Sequence, residues 1–329
     1  MRLNLGSGWD NREGYVNVDF APHHRPDIVA DVLKLPVADG SVEEVLAQDI
    51  LEHLPRTSTT EALTEWRRVT KADGVVRIRV PSLFDAVSLM QSADTLSMHQ
   101  ILLQNLYGTQ AYTGDVHLTS FTDRTLADAL DSAGYRCISA DLMDHWMWDV
   151  TAWAYGGPSL AHFWGAGFYP REGAGTLTDY EQLSEGWRWS SQASVMSLVN
   201  TGEICLRATL SLTLCAEHAP DGLVAIRAGG REWPCRVGEP ARIEISVSPG
   251  ERAEIAFLAQ LDRLEVGDPR ELYFRTEKPV LRVEADSDPR EPVFQQASAV
   301  PPHRSRKAGS LVRASLRWVV ARAAHRRVA

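Results

Sequence analysis

The first 140 or so residues alternate short apolar runs with amphipathic stretches, a pattern typical of the strands and helices of a parallel sheet. The apolar runs predict strands at Arg2–Leu5, Tyr15–Val18, Asp27–Ala30, Val42–Ala47, Val75–Val80 and Arg136–Ala140. Two amphipathic stretches predict helices, one over Thr59–Thr70 and one over Thr122–Ala133. This part of the chain is therefore predicted to be a doubly wound α/β domain.

A different pattern begins at Glu203, after which apolar residues occupy every second position. Ile204, Leu206 and Ala208 start the first such run, and Gly229-Gly230 predicts a two-residue hairpin turn between two later ones. Several short alternating strands of this kind are typical of an antiparallel β-sandwich.

Between the two patterns lies an aromatic segment, Trp146 to Trp189, with six tryptophans interleaved with glycines. Two interpretations of these rings stay open: they stack against sugar rings, or they seal the interface between two domains. The chain is therefore expected to divide into an α/β domain at 1–145, an aromatic-rich connector at 146–189, a β-sandwich at 190–285 and a flexible linker with a basic tail at 286–329.

The composition is that of an ordinary folded protein, with 44% hydrophobic and 23% charged residues. Met1 runs directly into the first strand without a secretory signal, and no uncharged apolar stretch of about 18 residues occurs, so a cytoplasmic location is expected. The four cysteines include no CxxC pair, and the sequence predicts no metal site.

Charge is distributed unevenly along the chain. The segment from Arg304 to the end has eight basic residues and no acidic one, although the whole chain carries −9. The remaining acidic body argues against nucleic acid as a partner. In the tail, Val312, Leu316 and Val319 share one face of a predicted basic helix. Peripheral contact with an anionic membrane, a solvated end and binding to an acidic partner all stay open.

Candidate chemistry begins where the first strand ends, in the glycine loop Leu5-Gly6-Ser7-Gly8. Open α/β sheets bind ligands at this edge, and glycine lets a ligand approach the backbone closely. The second strand ends at Asp19, a carboxylate suited to both hydroxyls of a ribose. The third glycine of a dinucleotide site is absent, which disfavours a nicotinamide or flavin cofactor.

Three segments in this order, LNLGSG, GYVNVDF and DVLKLPVADGSVEEVLAQDILEHL, resemble the class I S-adenosylmethionine-dependent methyltransferases, especially the group called methyltransferase type 11. The resemblance covers residues 1 to about 140 and implies a Rossmann-like fold with S-adenosyl-L-methionine as cofactor. The cofactor-binding residues it implies are Leu5, Gly6, Ser7, Gly8, Asp19, Asp31, Val32, Leu33 and Gln48. Asp31 matches the acidic residue near the adenine amino group, and Gln48 follows the fourth strand at the cofactor cleft.

One departure from the family pattern concerns the first crossover. Only the seven residues Trp9 to Tyr15 separate the glycine loop from the second strand, too few for a full crossover helix. The helix dipole that such a helix would aim at the cofactor is then absent. Arg2 or Arg12 is expected to supply a positive charge instead.

Two histidines are candidates for the catalytic base. His117, in GDVHLTSFT, lies where relatives carry a histidine that faces the substrate, and His53 belongs to the family's Glu-His pair. A base is optional for methyl transfer, but it accelerates transfer to a hydroxyl. Structural roles stay open, since His117 is also suited to bond a loop carbonyl and His53 to cap a helix.

The acceptor is expected to be a saccharide or another small molecule. GWRWSSQASVMSL and DPRELYF loosely resemble an accessory β-sandwich beside enzymes of bacterial surface polysaccharide assembly. This resemblance implies O-methylation of a saccharide or glycolipid. The alternative is a non-catalytic binding or scaffold protein in such an assembly complex, and a nucleotide-sugar transferase is disfavoured because no DxD-like motif lies beside the cleft.

Overall fold

The computed structural model describes residues 1–112, 114–154, 160–173 and 186–286, apart from the side chain of Cys137. Tyr155, Tyr180 and the predicted linker and basic tail beyond Asp286 lie outside the described residues. Among the helices that are described, none has the length and apolar character needed to span a bilayer.

The N-terminal half contains eight strands and four α-helices in the described residues. The strands are β1 Arg2–Leu5, β2 Val16–Asp19, β3 Ile28–Val29, β4 Val42–Gln48, β5 Thr70–Pro81, β6 Arg136–Met143, β7 Met147–Trp153 and β8 Ala161–Trp164. The helices are α1 Thr59–Val69, α2 Leu83–Ser92, α3 Leu96–Tyr107 and α4 Asp123–Ser132. The predicted strands and both predicted helices are present.

The strands form one sheet in the order β3-β2-β1-β4-β5-β7-β6-β8. The first five strands are parallel, and β7 lies antiparallel between β5 and β6. The predicted α/β, Rossmann-like fold is confirmed. Parallel strands place their carboxyl ends at one edge, which is where the candidate residues after β1, β2 and β4 collect.

One face of this sheet is apolar and packs against α1 and α4. Its strand residues include Leu3, Leu5, Val45, Val76, Ile78, Val150 and Ala140, and its helix residues include Leu63, Trp66, Leu126 and Leu130. The indole nitrogen of Trp66 donates to the carbonyl of Val32, 3.1 Å away. This bond ties the loop after β3 to α1.

The opposite face of the sheet is polar where the shortened first crossover covers it. This crossover contains no helix, as the sequence predicted. Asn4 on β1 and Asn17 on β2 are register partners, and both are buried. The amide of Asn4 donates to the Asp10 carbonyl, and the amide oxygen of Asn17 accepts from the Arg12 backbone. Hydrogen bonds to a loop therefore replace the apolar packing of a crossover helix.

The C-terminal half consists of β9 Trp187–Ser190, β10 Ala193–Val199, β11 Leu206–Cys215, β12 Leu223–Ala228, β13 Arg231–Arg236, β14 Pro240–Val247, β15 Arg252–Gln260 and β16 Phe274–Ala285. A four-stranded sheet has the order β14-β11-β16-β9, and it shares a core with β8, β10, β12 and β15. Met196, Leu210, Val224, Ile243 and Phe257 are buried in that core.

The first sheet continues into the sandwich without interruption. β8 pairs with β6 on one side and with β10 on the other, and the order then runs β10-β15-β12-β13, which gives twelve strands in all. Phe163 on β8 packs into the core of the N-terminal half, where it contacts Trp148 edge-on with 5.1 Å between ring centroids.

The segment predicted as a connector, 146–189, contains strands instead. β7 lies in the centre of the first sheet, and β8 joins that sheet to the sandwich. Trp146, Trp148, Trp153 and Trp164 are all buried. Stacking against a sugar does not fit these four rings, because all of them are buried within the protein core.

Candidate active site

The glycine loop lies at the carboxyl end of β1, as the sequence predicted. Leu5 is buried in the core, while Gly6 and Gly8 adopt φ values of 59° and 52°. A Cβ on Gly6 would lie 2.7 Å from the Ile50 side chain, whereas a Cβ on Gly8 would meet no atom within 4 Å. Gly6 is thus required by packing, and Gly8 leaves open space beside the backbone.

Asp19 is held against this loop at the end of β2. Its buried carboxylate accepts from the Gly8 backbone at 2.8 Å through Oδ2. Its Oδ1 accepts from the Ala21 backbone at 2.8 Å and lies 3.1 Å from Nδ1 of His24. A carboxylate has about four acceptor positions, so these contacts leave one position on Oδ2. The prediction that Asp19 accepts from both ribose hydroxyls therefore requires one of these contacts to be exchanged.

Asp31, Val32 and Leu33 form a turn after β3. The Asp31 carboxylate accepts from the Leu33 backbone at 2.9 Å, and Val32 is buried. Asp31 itself is exposed, with its second carboxylate oxygen free of any contact that the structure gives. The backbone of Ala30 donates to the Asp19 carbonyl at 3.1 Å, which links this turn to the ribose-side carboxylate.

Gln48 ends β4 and binds Arg12. Its side-chain oxygen accepts from Nη2 of Arg12 at 2.7 Å, and the same guanidinium forms an ion pair with Asp10. Arg2 lies at the opposite edge of the sheet, at the beginning of β1, with its guanidinium 4.5 Å from the Tyr15 ring centroid. Of the two cations that the sequence offered for the cofactor, Arg12 is at the correct edge and Arg2 is not.

The two candidate bases lie next to each other. The His53 and His117 rings meet at right angles with 4.7 Å between their centroids. Nδ1 of His117 is 2.8 Å from the Asn105 carbonyl, and Nδ1 of His53 is 3.2 Å from the Val116 carbonyl. Because a carbonyl only accepts, each Nδ1 carries the proton and each Nε2 keeps a lone pair.

Glu52 completes this cluster and was not among the predicted site residues. One of its carboxylate oxygens and one nitrogen of each histidine lie within 4.8 Å of one another. Burial, and then the nearby Asp49 carboxylate, raise the pKa of Glu52 well above its ordinary value. Burial, and then His53, lower the pKa of His117. The Glu-His pair in the sequence was the available signal for Glu52.

Several features of the glycine loop fit S-adenosylmethionine. The Ser7 hydroxyl is buried and has no hydrogen-bond partner within the described part of the chain, and Gly8 borders open space. Trp9 and Phe20, which follow the loop and Asp19, expose 73% and 66% of their surfaces. An unsatisfied donor, an open backbone and flanking aromatic rings suit a nucleoside with a charged amino acid end.

Comparison with known proteins finds one family match in the N-terminal half. Residues 10–78 match the family model described as a methyltransferase domain. No curated protein matches the chain.

Solved structures show more distant similarity. A SAM dependent methyltransferase from Archaeoglobus fulgidus is 14% identical over 46% of this chain and 84% of its own, with a TM-score of 0.36. A SAM-dependent methyltransferase from Thermotoga maritima, described as a possible histamine N-methyltransferase, is 11% identical over 46% of this chain and 80% of its own, with a TM-score of 0.34. One from Methanosarcina mazei is 13% identical over 47% of this chain and 92% of its own, with a TM-score of 0.36.

These structural likenesses are too remote to carry an argument about activity or substrate. The matched segment runs from the first crossover through β2, β3, β4 and α1 into most of β5, and so includes Asp19, Asp31 and Gln48. The part of the chain around residues 10–78 is therefore similar to the methyltransferase domain, and S-adenosylmethionine is the cofactor that this similarity implies.

Proposed function

We propose that this methyltransferase methylates a hydroxyl oxygen of a saccharide carried on a lipid. The observation that carries the proposal is the pair of histidines beside the glycine loop, each with its Nε2 lone pair uncommitted. Ile50, which contacts Gly6, is two residues from Glu52, so the histidines and the cofactor loop share one edge of the sheet.

When bound, the cofactor supplies an electrophilic methyl group on a sulfonium. The residues proposed to hold it are those of the glycine loop, Asp19, the Asp31 turn and Gln48. Arg12 would attract its carboxylate end in place of a helix dipole. The chain's main contribution is then alignment of donor and acceptor, which lowers barriers by about 7–11 kcal/mol in favourable cases.

His117 is the proposed base. Its lowered pKa keeps the ring neutral at neutral pH, and its Nδ1–H bond to Asn105 fixes the tautomer with a free Nε2. A neutral imidazole of this kind accepts the hydroxyl proton as the oxygen attacks the methyl group. Such general base catalysis accelerates a reaction by roughly 10²- to 10⁴-fold. His53 lies edge-on to this ring and holds it in place.

The acceptor proposal is supported by the surface around the histidines. The segment between β5 and α4 exposes large apolar side chains, namely Phe84, Val87, Leu96, Leu103, Tyr107, Tyr112, Val116 and Leu118. An exposed apolar surface of this kind suits an amphiphilic ligand, whose hydroxyl-bearing head would enter at His117. It favours a glycolipid over a free sugar.

The test combines binding and turnover. S-adenosylhomocysteine is titrated by calorimetry into the wild type, into Asp19→Ala, and into Asp128→Asn, a control that changes an exposed carboxylate on α4. Wild type and control are expected to bind, and Asp19→Ala to bind at least tenfold more weakly. Folded wild type that does not bind would favour the non-catalytic scaffold.

Turnover is then followed with methyl-labelled cofactor and lipid-linked or free saccharides from a bacterial envelope extract. Label is expected in the lipid-linked fraction as an alkali-stable methyl ether, and His117→Gln is expected to lower the rate by about 10²-fold or more. Label on nitrogen, or only on protein, would contradict the proposal.

A further inference from the structure

The cluster of Glu52, His53 and His117 has the chemistry of a metal site, although the sequence pattern predicted none. Its three ligand atoms lie within 4.8 Å of one another. Ligands of a tetrahedral zinc ion at about 2.0–2.1 Å are roughly 3.3 Å apart, so side-chain rotations that bring the ligand atoms closer by up to about 1.5 Å would close the site. We propose that these three residues bind one divalent ion of the Zn²⁺ type through two imidazole Nε2 atoms and one carboxylate oxygen.

The histidines are already oriented as metal ligands are. In metal sites the nitrogen that does not bind the ion usually donates to a carbonyl or carboxylate, which fixes the tautomer and the ring orientation. Nδ1 of His53 and Nδ1 of His117 meet the carbonyls of Val116 and Asn105 in this way. Both Nε2 atoms are thereby prepared to donate a lone pair.

Glu52 gives an independent reason. Its side chain is fully buried, and neither carboxylate oxygen has a hydrogen-bond partner among the described residues. A buried carboxylate without donors is costly, and buried charges are normally paired or bound to metals. The nearby guanidinium of Arg79 pairs with Asp49 instead. A cation between Glu52 and the histidines would supply the missing partner.

The backbone holds the two halves of the site together. The Glu52 carbonyl accepts from Leu118 at 2.8 Å and from Thr119 at 3.2 Å. His117 is therefore fixed beside Glu52 although a long excursion through α2 and α3 separates them in the chain. Ligand positions held by packed backbone favour a permanent site over chance proximity.

The donor set indicates which ion is suited. Two imidazoles and one carboxylate match the borderline character of Zn²⁺, whereas Mg²⁺ and Ca²⁺ prefer oxygen donors alone. Three protein ligands leave the fourth zinc position open, as in catalytic zinc sites. The inference rests on the proposed function in one respect: the open position would bind the acceptor hydroxyl and lower its pKa, so that its proton leaves to solvent. Coordination of the acceptor hydroxyl by the ion would then take the place of proton acceptance by His117. The oxygen that is methylated would be the same in both cases.

The experiment uses full-length, untagged protein stripped with a chelator. Co²⁺, a coloured substitute for Zn²⁺, is titrated while visible absorbance is recorded, and Zn²⁺ is then added to displace it. One ion per chain is expected, with an absorbance typical of tetrahedral or five-coordinate cobalt. Glu52→Gln and His117→Gln are each expected to weaken binding by at least tenfold.

Controls keep the result interpretable. His218→Gln removes a partly exposed histidine whose Nε2 lies 2.9 Å from the Asp262 carbonyl in the sandwich, and this variant is expected to bind Co²⁺ like the wild type. Thermal unfolding of each variant establishes that it is folded. His53→Gln serves as a further variant if Glu52→Gln does not fold.

Two results would overturn the inference: no stoichiometric Co²⁺ or Zn²⁺ binding by folded wild type, or equal binding by wild type and the Glu52, His53 and His117 variants. S-adenosylhomocysteine is titrated into the same preparation. Cofactor binding without metal binding rejects the metal site alone, and metal binding without cofactor binding rejects only the proposed transfer.

Discussion

The side-chain amide of Asn4 donates a 3.0 Å hydrogen bond to the amide oxygen of Asn17 on the neighbouring strand. Both residues face the shortened crossover, and Asn17 also accepts from the Arg12 backbone and donates to Asp27. Arg12 in turn reaches Gln48 at the cofactor edge. This pair thus fixes both the loop that replaces a helix and the cation that the loop presents.

Replacing Asn17 with alanine should lower stability and cofactor affinity together. The change leaves the Asn4 amide and the Arg12 N–H without their acceptor, and each buried unsatisfied group costs about 1–3 kcal/mol. We expect the free energy of unfolding in urea to fall by about 2–6 kcal/mol. Asn11→Ala, an exposed amide in the same loop, is the control and should cost less than about 1 kcal/mol.

The two glycines of the loop should respond differently to alanine. Both have positive φ, which costs alanine roughly 1–2 kcal/mol. Gly6→Ala also forces its Cβ against Ile50 and should destabilise the domain further, whereas Gly8→Ala places its methyl group in open space at the cofactor edge. Gly8→Ala should therefore weaken binding of S-adenosylhomocysteine more than it lowers the melting temperature.

Gly40→Ala is the matched control for Gly8→Ala. Its φ is 58°, its Cβ would also meet nothing within 4 Å, and it precedes β4 at the opposite edge of the sheet. Equal losses of cofactor affinity in the two variants would show that backbone strain, not position at the site, is responsible.

Asp149 should make stability depend on pH. Burial, and then the nearby Asp141 carboxylate, raise the pKa of Asp149 from 3.8 to about 6. A folded pKa above the unfolded one means that the stability Asp149 contributes is complete below pH 4 and is lost as pH rises through 6. Asp149→Asn should thus be more stable than wild type at pH 8, by up to about 3 kcal/mol, and equal to it below pH 4.

Urea unfolding of both proteins between pH 4 and pH 8 measures this difference, with the exposed Asp128→Asn as control. A pH-independent difference between Asp149→Asn and wild type would mean that Asp149 ionises normally in the folded protein.

Local pattern was sufficient for the glycine loop, Asp19 and the helices α1 and α4, because each depends on neighbouring residues. It was not sufficient for β7. An aromatic-rich segment in the centre of a sheet has the same amino-acid composition as an aromatic-rich connector, so composition does not distinguish the two. The helices α2 and α3 were missed because their apolar residues are not confined to one face: Phe84 and Leu103 are exposed while Ala86 and Leu102 are buried.

The meeting of Glu52 and His117 depends on tertiary structure. It is produced by a chain excursion that leaves the sheet after β5 and returns where Ser82 bridges to Phe121. No periodicity within either segment encodes that distance. The continuity of the first sheet with the sandwich likewise depends on β8, a strand of four residues that pairs with β6 and β10. No local sequence pattern indicates which strands it pairs with.

Arg188 should hold the sandwich to the methyltransferase sheet. It is almost fully buried on β9, its guanidinium bonds both oxygens of Asp141 on β6 at 2.5 and 3.1 Å, and it lies 4.4 Å from the Trp164 ring centroid. Arg188→Met leaves Asp141 without this partner and should cost about 3–5 kcal/mol in unfolding free energy.

Arg227→Met is the matched control, because Arg227 pairs with Glu232 at the surface and such pairs contribute about 0–1 kcal/mol. The double change Arg188→Met with Asp141→Leu should recover part of the loss, since no uncompensated carboxylate remains. A loss as small as that of Arg227→Met would contradict the anchoring role.

The basic tail should bring the enzyme to its proposed glycolipid. The sequence from Arg304 onward contains eight basic residues and no acidic one, and each basic residue contributes about 1 kcal/mol near an anionic leaflet at low salt. Full-length protein should sediment with vesicles that contain anionic lipid, and protein that ends at Asp286 should not. Added salt should release the full-length protein, because screening weakens the attraction. Equal sedimentation of the two proteins would contradict a membrane role for the tail, and binding to neutral vesicles would assign it to the exposed apolar surface around Tyr107 and Leu118 instead.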